Sequence, residues 1–288
     1  MNVLLTNDDG IEALGIHRLA WALKRVANVY VCAPKTQKSA SGHGITIGRV
    51  VEITDAEFDE AQMAICLDGM PADCVKIGLE IFKDRGIEMD MVFSGFNHGM
   101  NLGTDTLYSG TVSAAVEGAL CGLPSAAMSI CTNFNDSRVP LHFDVAEEMA
   151  VLAYEKLAAA GRTAKKVSTS GPDEKPLGDE ALGLEFMYRD HTILNINIPD
   201  VPAEQIAGMK VVPLSFREYE EWFKPDTTEE GKLGYHYSGR PFVSHGPEIN
   251  VDSSDILANL AGYVTITPLH FDLTNFKLLE AVKKDWKL

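Results

Sequence analysis

Short apolar runs alternate with longer amphipathic ones over the first two hundred residues. Val3–Thr6 reads as a strand, Leu14–Val26 as a helix and Val29–Ala33 as a second strand. Ala64–Leu67 is strand-like, Ala72–Phe82 helical, and Met91–Ser94 again a strand. From Thr111 onward, Val112, Ala115, Val116, Ala119 and Leu120 recur at the i, i+3, i+4, i+7, i+8 spacing that gathers them on one helical face. Gly122 and Pro124 end that helix. Ala126–Ile130 predicts a strand, Phe143–Ala160 a long helix closed by Gly161, and Ile193–Ile198 a further strand. Such alternation predicts an α/β fold: a doubly wound, mostly parallel sheet, Rossmann-like, with helices on both faces in three layers.

Two stretches break the pattern. Ile45–Thr54 predicts an extended strand or hairpin arm inserted after the second strand. From Val201 the chain is β-rich, with strands expected over Lys210–Ser215 and Tyr263–Pro268, and it closes with a helix over Asn275–Asp285. Between the two, Thr163–Glu185 is rich in Lys, Ser, Gly, Pro and Asp and predicts a surface loop. The expected organisation is a Rossmann-like core over residues 1–200 and a β-rich extension with a terminal helix over 201–288. The extension belongs to the same domain and is an appendage suited to oligomerisation.

Composition narrows the partners. The 288 residues are 45% apolar and 23% charged, an ordinary globular balance with enough apolar material for a sizeable core. Twenty-five Lys+Arg against 41 Asp+Glu leave a net charge of −16. A nucleic-acid polymer is therefore not the expected partner, because binding its backbone relies on basic side chains. The acidity does not bear on small anions, which a local site can hold. The opening MNVLLTNDDG lacks the basic and long apolar segments expected of a signal peptide, and no stretch approaches the roughly 18 uninterrupted apolar residues of a membrane helix. Five cysteines without a Cys-x-x-Cys pair read as reduced thiols of a cytoplasmic protein rather than a zinc site.

In open α/β sheets ligands bind beyond the carboxyl ends of the strands. After the first strand come Asn7, Asp8, Asp9 and Gly10. Asp9 could simply cap the following helix. Two adjacent carboxylates repel each other unless a cation bridges them, so the doublet favours a hard-metal site. After the second strand lies a polar loop with Ser39, Ser41, Gly42, His43 and Gly44. Its glycines miss the dinucleotide-binding spacing, since Gly48 comes one position late and no helix follows. After Met91–Ser94 comes the Gly- and Asn-rich stretch Gly95–Gly103, in which Asn97 offers a neutral oxygen suited to Mg²⁺ or Mn²⁺. His43 and His98 are candidate acid–base groups, or plain surface histidines. Tyr108, Ser109, Gly110 and Thr111 open the clearest helix, and a helix start is both a capping position and an anion site. No P-loop pattern is present. A hard cation held by carboxylates, a hydroxyl and an amide oxygen, beside an anion-binding helix start, describes metal-assisted hydrolysis of a phosphate ester.

These same segments resemble the SurE survival-protein family. The likeness is carried by Leu4–Gly10, Ser39 with Gly42 and His43, Asp68–Cys74, Ser94–Asn97 through Asn101–Gly103, Tyr108–Val112, and Glu117–Ala119. Weaker likeness at Leu194–Pro199 and Gly262–Leu269 extends it nearly to the C-terminus, while Thr132–Asp190 and Phe216–Asn250 carry little of it. The resemblance implies a divalent-metal-dependent phosphatase acting on nucleoside 5′- and 3′-monophosphates, with exopolyphosphatase activity in some members. It implies one Mg²⁺ or Mn²⁺ per subunit on Asp8, Asp9, Ser39 and Asn97; in the hydrolysis expected there, Asp8 or Asp9 is the candidate general base. Substrate contacts are expected from Asn7, Gly42, His43, Ser109, Gly110 and Thr111. It also implies a cytoplasmic homodimer or homotetramer whose C-terminal β elements exchange between subunits. Gly44 stands where the family commonly has Ser, and Phe96 where it commonly has Ile, and neither is an expected ligand.

Three rival chemistries compete for the same residues. A phosphoacceptor receiver also has acids after its first strand, and Asp68 before Met70 and Pro71 mimics its acceptor, but the late strand ends offer no lysine. A haloacid-dehalogenase-type phosphatase needs Asp-x-Asp where this chain has Asp-Asp-Gly. A non-catalytic nucleotide-binding protein would carry the same binding residues. Charge by segment supports a small phosphate as ligand. Residues 1–50 hold six basic and three acidic side chains, and two of those acids are the Asp8–Asp9 pair, whereas residues 51–130 hold three basic and thirteen acidic ones.

Overall fold

A computed structural model describes residues 1–132, 142–168, 191–241 and 250–286. The elements run β1 (Asn2–Thr6), α1 (Leu14–Leu23), β2 (Asn28–Pro34), β3 (Ile53–Ala56), β4 (Met63–Leu67), α2 (Pro71–Asp84) and β5 (Met91–His98). A 3₁₀ turn over Gly103–Leu107 leads into α3 (Gly110–Leu120), β6 (Ser125–Cys131), α4 (Asp144–Ser168) and β7 (Ile193–Pro199). The last third adds β8 (Gly208–Val211), β9 (Tyr219–Thr227), β10 (Leu233–Pro241), α5 (Asp255–Leu260), β11 (Tyr263–Leu269) and α6 (Phe276–Asp285).

One sheet has the order β3-β4-β2-β1-β5-β6-β7-β11-β8. It is parallel from β4 to β7, with β3 antiparallel on one edge and β11 antiparallel to β7 near the other. Strand alternation sorts the core into two layers. Val3 and Leu5 of β1 face Ile16, Leu19 and Leu23 of α1 and Met149, Ala153 and Leu157 of α4. Leu4, between them, faces the opposite side, where Cys74, Val75 and Phe82 of α2 pack with Ala114 of α3. The result is the expected three-layer α/β arrangement. Among the described residues no helix is long and apolar enough to cross a membrane.

Several expected boundaries move. Helix α4 runs through Gly161 to Ser168. A glycine inside a helix costs only about 1 kcal/mol, which the buried stripe Ala146, Met149, Ala150, Ala153 and Leu157 outweighs. The first residues of the predicted loop Thr163–Glu185 are thus helical, and 169–185 lie outside the described residues. Of Ile45–Thr54, only the last two residues join a strand, β3. The rest is irregular and pinned by side chains: Thr46 donates to Asp73 from its backbone N at 3.1 Å and its Oγ1 at 2.6 Å, and Arg49 pairs with Asp68 at 3.2 Å. The strand expected over Lys210–Ser215 is β8, which starts earlier and stops sooner, over Gly208–Val211. β9 and β10 pair only with each other, as an antiparallel ribbon separate from the main sheet.

Candidate active site

The chain leaves β1 for β2 on one side of the sheet, while β5 lies against the other side of β1. That reversal opens a crevice at the carboxyl ends of β1 and β5, the place where this architecture binds ligands. Asp8 and Asp9 follow β1 directly, and Asn97 and His98 end β5. The turn that carries the carboxylates is built by its neighbours. Asn7 Nδ2 donates to the Gly10 carbonyl at 2.8 Å, and its Oδ1 accepts from Gly10 N at 3.2 Å. The amide of Asn7 is therefore spent on shaping the turn. Gly10 sits at φ +102°, which an L side chain rarely adopts.

Asp8 is buried, and Thr111 Oγ1 donates to its Oδ1 at 2.5 Å. Asp9 is half-buried; its Oδ2 accepts from His98 N at 3.0 Å and its Oδ1 from Gln37 Nε2 at 3.4 Å. The loop after β2 closes on both. Lys38 N donates to the Asp8 carbonyl at 2.6 Å, and Gly42 N donates to the Tyr108 carbonyl at 2.9 Å. Helix α3 begins at the same point, with Ser109 as N-cap accepting from Val112 N at 3.0 Å. Gly110 is there because nothing larger fits: a Cβ would stand 2.7 Å from Asp8 Cβ and 2.9 Å from both Asp8 Oδ2 and Ser41 Oγ. Farther along α3, the buried Glu117 carboxylate meets His43 Nε2 at 2.9 Å and Lys76 Nζ at 2.6 Å. The imidazole is thereby tied to the helix flank.

Electrostatics set the pair apart from a plain cap. Burial, and then the neighbouring Asp9 charge, push the Asp8 carboxyl up to about 6, against smaller opposing hydrogen bonds from Thr111. Burial also raises Asp9, opposed by the His98 N–H. Among the described residues neither carboxylate forms an ion pair with a basic side chain. Two crowded carboxylates without a counter-charge fit a cation. Three buried hydroxyls at the same strand and loop ends, Thr6 Oγ1, Ser94 Oγ and Ser41 Oγ, have no hydrogen-bond partner among the described residues. Asn97 commits its Nδ2 to the Gly99 carbonyl at 2.9 Å, which leaves Oδ1 as the free acceptor end. Among the described residues no group of three or more His, Cys, Asp or Glu is arranged to hold a metal ion, so a cation here would need neutral oxygens as well.

Asp8, Asp9, Gly42, Ser109, Gly110 and Thr111 are thus brought together around one turn and one helix start. Asn97 flanks the His98 N–H that holds Asp9. Ser39 stands exposed on the turn between Lys38 and Ser41 and makes no hydrogen bond among the described residues. Sequence reasoning does not single out Ser41, Thr6, Ser94 or the Glu117 carboxylate as parts of the site. Thr6 and Ser94 are register partners on β1 and β5, and a hydroxyl closing each of two apolar strands is the available signal.

Residues 3–221 match the family described as "Survival protein SurE". The "5'-nucleotidase SurE" of Heliobacterium modesticaldum is 39% identical over 287 residues, 99% of this chain and 92% of the relative. That of Alkaliphilus metalliredigens is 39% identical over 286 residues, 98% of each chain. The crystal structure of the SurE protein from Aquifex aeolicus aligns with 99% of this chain and 100% of its own, at 34% identity and a TM-score of 0.69.

Proposed function

The chain belongs to the SurE survival-protein family, and on that premise we propose that it is a divalent-metal-dependent 5′-nucleotidase. The observation that carries the reading is the Asp8–Asp9 pair, Asp8 buried, set against the start of α3 with Gly110 packed on Asp8. In this proposal Asp8, Asp9, Ser39 and Asn97 hold one Mg²⁺ or Mn²⁺. Bound there, the cation supplies a Lewis acid for a phosphoryl oxygen and a water of lowered pKa. Asp8 or Asp9 takes the proton of the attacking water. Ser109, Gly110 and Thr111, at the positive end of α3, receive the phosphate, and Ser41 Oγ adds a buried donor beside them. Gly42 and His43 line the loop over it, and Asn7 shapes the turn that presents the carboxylates. The substrate is a nucleoside 5′-monophosphate, with the 3′-monophosphate taken as well, and the products are nucleoside and phosphate.

Residues 1–200 form the catalytic core in this reading, and 201–288 extend it toward a homodimer or homotetramer. Helix α6 supports the second point: none of its residues is buried, yet Phe276, Leu278, Leu279 and Val282 stand exposed on it, with Trp286 just beyond. Five free cysteines suit a reducing, cytoplasmic setting. The test is phosphate release from AMP or GMP. Release is expected with Mn²⁺ or Mg²⁺, and full activity in EDTA or after Asp8→Asn would overturn the mechanism.

A further inference from the structure

Tyr108 stands one residue before the N-cap of α3, and its carbonyl accepts from Gly42 N at 2.9 Å. Its backbone is thereby tied to the Gly42 loop beside the start of α3, yet its side chain is 53% exposed. Its ring meets the ring of Trp222 edge-on, with centroids 6.2 Å apart and planes at 71°. Trp222, on β9, is 40% exposed, and Tyr219 backs it at 4.0 Å. Tyr219 is itself anchored, since its hydroxyl donates to Asp105 Oδ1 at 2.6 Å, in the 3₁₀ turn that leads to Tyr108. Arg217 fixes the same Asp105 at 3.1 Å. The two exposed rings thus form a braced corner beside the start of α3, joined through Asp105 to the segment that enters that helix.

We infer that the Tyr108–Trp222 corner is the subsite for the nucleobase of the substrate. The inference rests on the nucleotidase reading, because it takes the phosphate to lie at Gly110 and Thr111. A base is tethered to that phosphate through one sugar, and Tyr108 reaches outward by one side chain from the adjoining backbone. Large aromatic faces left in water beside a polar site favour a flat ligand. Base–aromatic stacking provides the attraction, and the edge-on arrangement offers the base one ring face and one ring edge. The corner rewards the base and not the phosphate, so it separates nucleotides from simple sugar phosphates.

Phosphate release from AMP and from ribose 5-phosphate, which lacks the base, tests this. Tyr108→Ala and Trp222→Ala are expected to lower kcat/KM for AMP by about 10- to 100-fold, chiefly through KM. The loss on ribose 5-phosphate should be several-fold smaller, and Tyr108→Phe and Trp222→Phe should restore most of the AMP activity. Equal losses on both substrates would overturn the inference; equal losses with a changed mass by light scattering would assign the corner to a second copy of this chain. If the unaltered protein hydrolyses neither compound, the nucleotidase reading fails by itself. In that case AMP titration of a Trp21→Phe, Trp286→Phe protein, in which Trp222 is the remaining tryptophan, still reads the corner: quenching supports it, and no change on saturation overturns it.

Discussion

Replacing Asp8 by Asn should make the metal-free protein more stable while abolishing its activity. Folding moves the Asp8 carboxyl from its ordinary value of 3.8 to about 6, principally through burial and secondarily through Asp9. At about 1.36 kcal/mol per pH unit, a charged Asp8 destabilises the folded chain by about 3 kcal/mol near neutrality. The sign follows from proton uptake. Between the two values the folded chain keeps a proton that the unfolded chain has released, so stability falls as pH rises through this window. Below it both states are protonated and the penalty is absent; above about pH 6 it is complete. Asparagine has the same shape, carries no charge and keeps an acceptor for Thr111 Oγ1. Urea unfolding in EDTA should therefore place Asp8→Asn about 3 kcal/mol above the unaltered protein near pH 7.5, and about half as far above it near pH 5. Mn²⁺ at about 100 times its Kd should return about 2.7 kcal/mol to the unaltered protein and much less to the variant. A variant less stable than its parent near pH 7.5, or a gap that widens as pH falls, would refute the reasoning.

Three further outcomes are expected. Gly110→Ala puts a methyl 2.7 Å from Asp8 Cβ, and the displacement should lower kcat/KM for AMP by about 100-fold with an unchanged circular dichroism spectrum. Ser41→Ala removes a buried hydroxyl that has no partner among the described residues, so it should leave the urea midpoint nearly unchanged and lower kcat by about tenfold or more. Asp255→Ala strips the acceptor from Gly103 N at 2.6 Å, Ser215 N at 3.0 Å and Ser215 Oγ at 2.7 Å, and should cost about 3 kcal/mol in the same urea assay.

The central strands of the main sheet are legible in the sequence because they are short apolar runs buried on both faces, whereas the edge strands β3 and β8 are largely exposed. Leu4 and Leu5 of β1, adjacent in the chain, face different helices and both need to be apolar. Helix α3 is legible through its small apolar stripe. What pattern alone misplaces depends on tertiary contacts. Gly161 has the character of a stop, but the packing of α4 on α1 carries the helix past it. Ile45–Glu52 is polar and β-branched like a strand, yet Asp73 and Asp68 hold it in irregular form. The strand expected to stop at Ser94 runs to His98, with a break in its pairing to β6 between Ser94 and Asn97 that no local propensity announces. At the site, adjacent acids and a glycine-led helix start are visible as types and positions. Ser41 is not, since one serine among several in a polar loop is distinguished only by where its hydroxyl ends up.

Every residue of α3 from Gly110 to Ala119 is buried, and its glycines are pressed against Asp8 at one end and Val92 and Ser125 at the other. Such a helix has almost no position free to vary, because a change along it disturbs either the carboxylate turn or the core it packs in. New substrate preferences would have to arise elsewhere, on the stretch from Ile45 to Arg49 beyond His43 and on the aromatic ribbon. Those segments frame the same crevice from outside the core, and libraries aimed at altered specificity should be confined to them.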